Sequence, residues 1–200
     1  AKVSVSTNGE AAPSIFIPTK EVLSLVRGLT AEQPHLPTIE RIFDDGYLDL
    51  AKQLAKEGAT GLNAKVQLDP RFASIVPCLT NLIGGQYLLE NGRFVFEPGR
   101  YVEKDATTRS KAQHAQMYQD STEWKFVPGS KQRLSSGMTA EGFRKIGVLQ
   151  RLLGNGSLNP GSTGPLLWDE PESNLNPKLM KDLVQVLLEL ARNGQQVILA

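Results

Sequence analysis

Residues 165–177, PLLWDEPESNLNP, constrain the fold of this chain more than any other stretch. The run 165–168, PLLW, leads directly into the acidic pair Asp169-Glu170. Asn176-Pro177 then opens a helix in the favoured way. The Asn can cap the first turn, and the Pro sits where its missing N–H leaves no bond unmade. Leu179, Leu183, Val186, Leu187 and Leu190 share one face of this helix, which is expected to run to Arg192 and end at Gly194. The apolar 197–199 reads as the next buried strand. Short, continuously apolar strands joined through a helix form a parallel sheet, so the expected class is α/β.

Parallel sheets bind ligands at the carboxyl ends of their strands, where Asp169 and Glu170 emerge. Two adjacent carboxylates suit a divided task there. The first can hold a hydrated Mg²⁺, which takes a few hard oxygens plus substrate phosphates. The second can orient or deprotonate an attacking water. The same residues also read as a polar turn after a strand, and alone they leave both readings open. Upstream, LSSGM (134–138) precedes a helix expected over 139–153, with Ile146, Leu149, Leu152 and Leu153 on one stripe. A Ser-Ser-Gly turn opening a helix offers hydroxyls, uncrowded backbone and free N–H groups at the positive end of the dipole. An ordinary serine cap is the other reading.

Composition narrows the partners. Lys and Arg number 22 against 21 Asp and Glu, a net charge of +1. That balance excludes a basic nucleic-acid glove and an acidic tail. The single cysteine, Cys78, excludes an intramolecular disulfide framework and most cysteine-built metal sites. No apolar run approaches the ~20 residues of a membrane span, and no export signal opens the chain. A cytoplasmic setting without a membrane partner is expected. The alternating AKVSVST start, which lacks Met, and the apolar QQVILA end read as cuts through a longer chain.

Elsewhere, residues 1–19 are expected to hold two strands around a turn at Asn8-Gly9, the second over 14–18. Helical spacing covers 21–29 and 38–56, interrupted by Pro34 and Pro37. A β-hairpin is expected over 79–97, with 87–89 and 94–96 as arms and Asn91-Gly92 as the turn. Residues 103–125 read as a polar surface excursion and 154–164 as a loop. His35 and His114 lie in polar contexts and read as surface residues. Arg100, Lys104, Arg109 and Lys111 are scattered among acids and read as solvated.

In this order, LSSGM and WDEPESNLNP resemble the ATP-binding-cassette class of P-loop ATPases. LSSGM resembles its signature motif, PLLWDEP its Walker B motif, and SNLNP the D-loop that follows. Over 134–200 the wording is similar to bacterial AAA-type "predicted ATPase" proteins. Those are related to chromosome-maintenance and recombination-repair ATPase heads and to abortive-infection and overcoming-lysogenization ATPases. FIPTKEVLSL (16–25) also resembles that group's early strand and helix start, whereas 57–130 carries no likeness.

The resemblance implies a P-loop NTPase-like α/β fold and a partial domain. Its parallel-sheet core would come from 1–19 and 131–200, with a helical lobe and β-hairpin inserted over 20–130. It implies ATP and Mg²⁺, with Asp169 as the metal-side carboxylate and Glu170 as the catalytic base. Ser135, Ser136 and Gly137 would face the γ-phosphate of a nucleotide held by an opposing subunit. Ser173, Asn174 and Asn176 would form the loop crossing the dimer interface. Thr19, Lys20 and Glu21 stand where the family's metal-sensing Gln belongs, so no glutamine ligand is assigned.

No Gly-x-x-x-x-Gly-Lys-Ser/Thr loop occurs. GSLNPGST (156–163) copies the spacing but places Ser162 where Lys must be, and it precedes a strand, so it reads as a connection. The P-loop and switch histidine are expected outside the segment. Implied partners are a second copy of the chain around ATP, a nuclease domain or partner, and DNA indirectly. Two other readings remain: a non-catalytic assembly module, and a transporter nucleotide-binding subunit, whose usual Ser-Ala-Leu-Asp run differs from SNLNP.

Overall fold

A computed structural model describes residues 12–30, 43–58, 61–103 and 124–200. The first half contains β1 (Ile15–Ile17), α1 (Val26–Leu29), α2 (Asp45–Ala55), α3 (Leu62–Leu68), α4 (Pro70–Ile83), β2 (Gly85–Glu90) and β3 (Arg93–Glu103). Then follow β4 (Trp124–Pro128), β5 (Leu134–Ser135), α5 (Glu141–Asn155), β6 (Leu166–Trp168), α6 (Met180–Arg192) and β7 (Val197–Leu199). Short 3₁₀ turns cover Ser136–Met138 and Pro177–Leu179.

Two sheets result. The first is parallel, ordered β1-β6-β7, with Ile15 opposite Leu166 and Leu166 opposite Val197. Ile15 and Ile17 are buried and Phe16 is exposed, the alternation that a pleated strand imposes. The second is antiparallel, with β3 at its centre pairing β2, β4 and β5. Asn91 and Gly92 both have positive φ, 51° and 71°, as a two-residue primed hairpin turn requires.

The central helix α5 joins the sheets, burying Ile146, Val148, Leu149, Leu152 and Leu153. Gly147 is needed there, because a Cβ would stand 2.3 Å from a carbon of the Tyr87 ring. Gln150, buried one turn later, accepts from the Tyr87 N–H at 2.8 Å and donates to the Thr80 hydroxyl at 2.8 Å. A buried amide needs such partners, since each unmet group costs about 1–3 kcal/mol. On the other side of the core, α6 packs against α4.

Several elements differ from the sequence expectation. Residues 79–83 are helical rather than part of the hairpin: they close α4, which Asp69 caps, Pro70 opens, and left-handed Gly84 ends. The 21–29 helix shrinks to Val26–Leu29, preceded by turns, because buried Glu21 takes the Ser24 N–H and hydroxyl, each at 2.7 Å. Of the 38–56 helix, Asp45–Ala55 is seen; 38–42, Pro34, Pro37 and His35 lie outside the described residues.

The excursion at 103–125 is not wholly a loop, since Glu103 pairs with Trp124 and Val102 with Lys125. Residues 104–123, with His114, are outside the description, as are 1–11 with the first expected strand. Strand β7 is not buried in the described structure: among the described residues it pairs with β6 alone, and Ile198 and Leu199 are exposed.

Candidate functional site at the carboxyl rim of the parallel sheet

Strand β6 is central in its sheet, and backbone bonds clamp the residues that follow it on both sides. The Asp169 N–H donates to the Ile17 carbonyl and the Glu170 N–H to the Ala200 carbonyl, each at 2.9 Å. The acidic pair therefore stands at the carboxyl ends of all three parallel strands, where α/β sheets hold ligands. Thr19, just beyond β1, donates its hydroxyl to Asp169 Oδ2. Glu170 is exposed and sits at φ 43°, the left-handed region, at an order of 1–3 kcal/mol for a non-glycine residue. Its surroundings must hold it there.

Tyr47, from α2, faces the same rim. Burial chiefly pushes its phenol above the ordinary value, and the Asp44 and Asp169 carboxylates add in the same direction.

The serine turn lies at the end of the other sheet. Strand β5 delivers Ser135, and the 3₁₀ turn over Ser136–Met138 follows. The Ser136 carbonyl accepts from the Thr139 N–H at 3.1 Å and from its hydroxyl at 2.7 Å. The Tyr87 hydroxyl meets the Thr139 hydroxyl at 2.6 Å, which secures the turn to β2. This placement corrects the expectation that the turn opens the helix. Helix α5 starts only at Glu141, with extended Ala140 as its N-cap, so its free N–H groups belong to later residues. Ser135 and Gly137 are exposed, but Ser136 is only 7 % exposed.

A cavity of about 280 Å³ opens beside the turn, and Ser24, Arg27 and Arg93 help to line it. Neither arginine belongs to a sequence motif. Arg93 follows the Asn91-Gly92 turn, so its exposure was readable, but its nearness to a turn forty residues later was not.

The segment after β1 links the rim to this turn. Thr19 bonds Asp169, while Glu21 accepts from Arg144 Nε of α5 at 2.7 Å. Arg144 also donates to the Thr139 carbonyl. No glutamine stands in this segment, and a threonine hydroxyl supplies the polar contact instead.

Loop 171–176 folds back onto the start of α5. The Asn176 side chain accepts from the Lys178 N–H at 3.0 Å, the cap expected from Asn-Pro. Asn174, at φ 61°, donates to Glu141 Oε1 at 3.0 Å. Asn174 and Asn176 are exposed, whereas Ser173 is half-buried and its hydroxyl receives a bond from Lys145. In the sequence Lys145 is only one of three cations within an amphipathic helix.

The donor set suits a hard cation. Asp169, the Thr19 hydroxyl and the Glu170 carboxylate are oxygen donors at one rim, and Mg²⁺ typically takes one or two protein carboxylates with phosphate and water oxygens. Among the described residues, no three His, Cys, Asp or Glu side chains converge into an all-protein metal cage. No described helix is long and apolar enough to cross a membrane.

A family model described as "AAA domain, putative AbiEii toxin, Type IV TA system" matches residues 29–200. No curated protein and no solved structure matches the chain.

Proposed function

We propose a function from one premise: the chain belongs to this AAA-domain family, and so is a nucleotide-binding P-loop ATPase domain with an α/β, P-loop NTPase-like fold. The finer reading is of a head that pairs with a second copy around ATP and Mg²⁺, hydrolyses the ATP, and uses the cycle as a conformational switch. The supporting observation is the acidic pair at the end of a central parallel strand, with Thr19 bonded to Asp169 and Glu170 turned outward.

In this reading Asp169 and Thr19 hold the metal side of the site. When bound, Mg²⁺ neutralises charge on the β- and γ-phosphates. Glu170 accepts a proton from the water whose oxygen attacks the γ-phosphorus. Exposed Ser135 and Gly137 offer a hydroxyl and an open backbone to a triphosphate held by the partner copy. Ser136 adds its peptide but little side-chain surface. Asn174 and Asn176 are the members of loop 171–176 available for contact across the pair. The family description names a putative toxin of a toxin–antitoxin system; a phage-defence setting, a nuclease partner or an indirect role at DNA belongs to the same proposal.

Glu170→Gln in the full-length protein tests this. ATP turnover is expected to fall about 10²–10⁴-fold, and ATP-bound dimers should accumulate. Unchanged turnover removes Glu170 from its role.

One observation favours a second reading for the 200 residues alone, an assembly module without chemistry: they contain no Gly-Lys-Ser/Thr loop to grip the β-phosphate. Titrating this chain with Mg-ATP should show weak binding and no turnover. Robust hydrolysis would contradict it.

A further inference from the structure

Two charged side chains are buried in the described structure, Glu21 and Lys145, and only Glu21 is matched by an ion pair, with Arg144. Lys145 is 1 % exposed. Its hydrogen-bond partners are neutral oxygens of a single turn: the Glu170 carbonyl at 2.8 Å, the Ser173 hydroxyl, and the Ser173 carbonyl at 3.5 Å. An ammonium has three N–H donors and is costly to bury unless they are used. Here all three converge on the turn that begins at Glu170. Burial holds this ammonium below its ordinary pKa, and Glu141, Glu170, Glu172 and Asp169 pull it back up.

The bond to the Glu170 carbonyl matters because Glu170 is held in the left-handed region. Fixing that peptide plane fixes the direction in which the side chain leaves the rim. A second contact locks the same turn one helical step earlier. At Gly142 a Cβ would stand 2.6 Å from the Asn174 carbonyl oxygen, so loop and helix backbone touch directly. Helix α5 also holds the serine turn through Arg144 and the Thr139 carbonyl.

We infer that Lys145 is a positioning residue: it pins the Glu170–Ser173 turn to α5 and aims Glu170 for proton transfer. The inference rests on the reading of Glu170 as the proton acceptor. Its added content is that the direction of the chain's own glutamate is set by one buried ammonium of α5.

The test uses the full-length protein with Lys145→Met and Ser173→Ala, alongside Glu170→Gln. Turnover, KM for ATP and urea unfolding are measured for each. Folded Lys145→Met should lose about 10- to 100-fold in kcat while KM stays within about three-fold, since a misplaced group removes stabilisation made only in the transition state. Ser173→Ala, which removes one acceptor and keeps the ammonium, should lose about three-fold in kcat at unchanged KM. A structural cation alone would lower unfolding stability and leave the turnover of folded protein at the wild-type value, which overturns the inference. If Lys145→Met does not fold, Ser173→Ala decides, and wild-type kcat there overturns it. Wild-type turnover in Glu170→Gln would instead remove the underlying reading.

Discussion

The two sheets present their functional groups in opposite ways. The parallel sheet consists of three-residue strands gathered from distant parts of the chain. Such strands hold little by themselves, and their ends leave polar groups for a ligand. The antiparallel sheet is local: β2 and β3 are joined by two residues, and the eleven-residue β3 pairs three strands. It delivers Ser135 at the end of an arm. The carboxylate rim therefore depends on long-range core packing, while the serine turn depends on a hairpin that sets its own register. Helix α5 touches both, with Gly147 and Gln150 against β2 and with Lys145 and Gly142 against the loop after β6.

That contrast can be broken by cutting each sheet from the core. Trp168→Ala on β6 and Tyr87→Ala on β2 remove nearly fully buried rings, and each should cost about 3–5 kcal/mol in urea unfolding. Hydrogen exchange should separate them. Tyr87→Ala is expected to open 85–103 while 166–169 stays protected, whereas Trp168→Ala should open the rim. If Tyr87→Ala exposes both sheets equally, they are one unit and the contrast fails.

A smaller change addresses the junction. Gly142→Ala forces a methyl against the Asn174 carbonyl, and overpacking of this kind costs about 1–3 kcal/mol. Thermal melts should show the loss, and enhanced exchange should be confined to 173–176. A neutral Gly142→Ala would mean that the loop yields freely and that α5 does not couple the sheets.

The smallest effect lies on α4, which backs the antiparallel sheet. Asp69 caps this helix, accepting from the Arg71 N–H at 2.9 Å, and its replacement by Ala should cost about 1 kcal/mol. Hydrogen bonds from the Arg71 side chain are the main cause holding its carboxyl below the ordinary 3.8. A depressed folded pKa gives stability that is present above the unfolded value and lost as pH falls through the folded one. Wild-type urea midpoints should therefore drop more steeply than those of Asp69→Ala below about pH 4.

What could be read from residues alone follows the same division. Asn176-Pro177, the apolar face of α6 and the Asn91-Gly92 turn are signals contained within a few residues, and each stands near its expected place. Residues 79–83, LTNLI, misled because five residues mixing apolar and polar side chains suit a strand or a helix equally. The deciding signal, Asp69-Pro70 with Gly84 at the far end, lay outside the window.

The sequence by itself determined a set of local patterns and their order: an apolar run into Asp169-Glu170, a capped helix after it, and a Ser-Ser-Gly turn before another helix. Such patterns are local, because capping, periodicity and turn preference act over one or two turns of chain. Only the tertiary structure decided that Thr19 reaches Asp169, that Glu21 meets Arg144, that Ser136 turns inward, and that Lys145 lies beneath Glu170. Those pairings join positions far apart in the chain. Core packing brings them together, and a buried donor or charge must then find its partner wherever the fold has placed one.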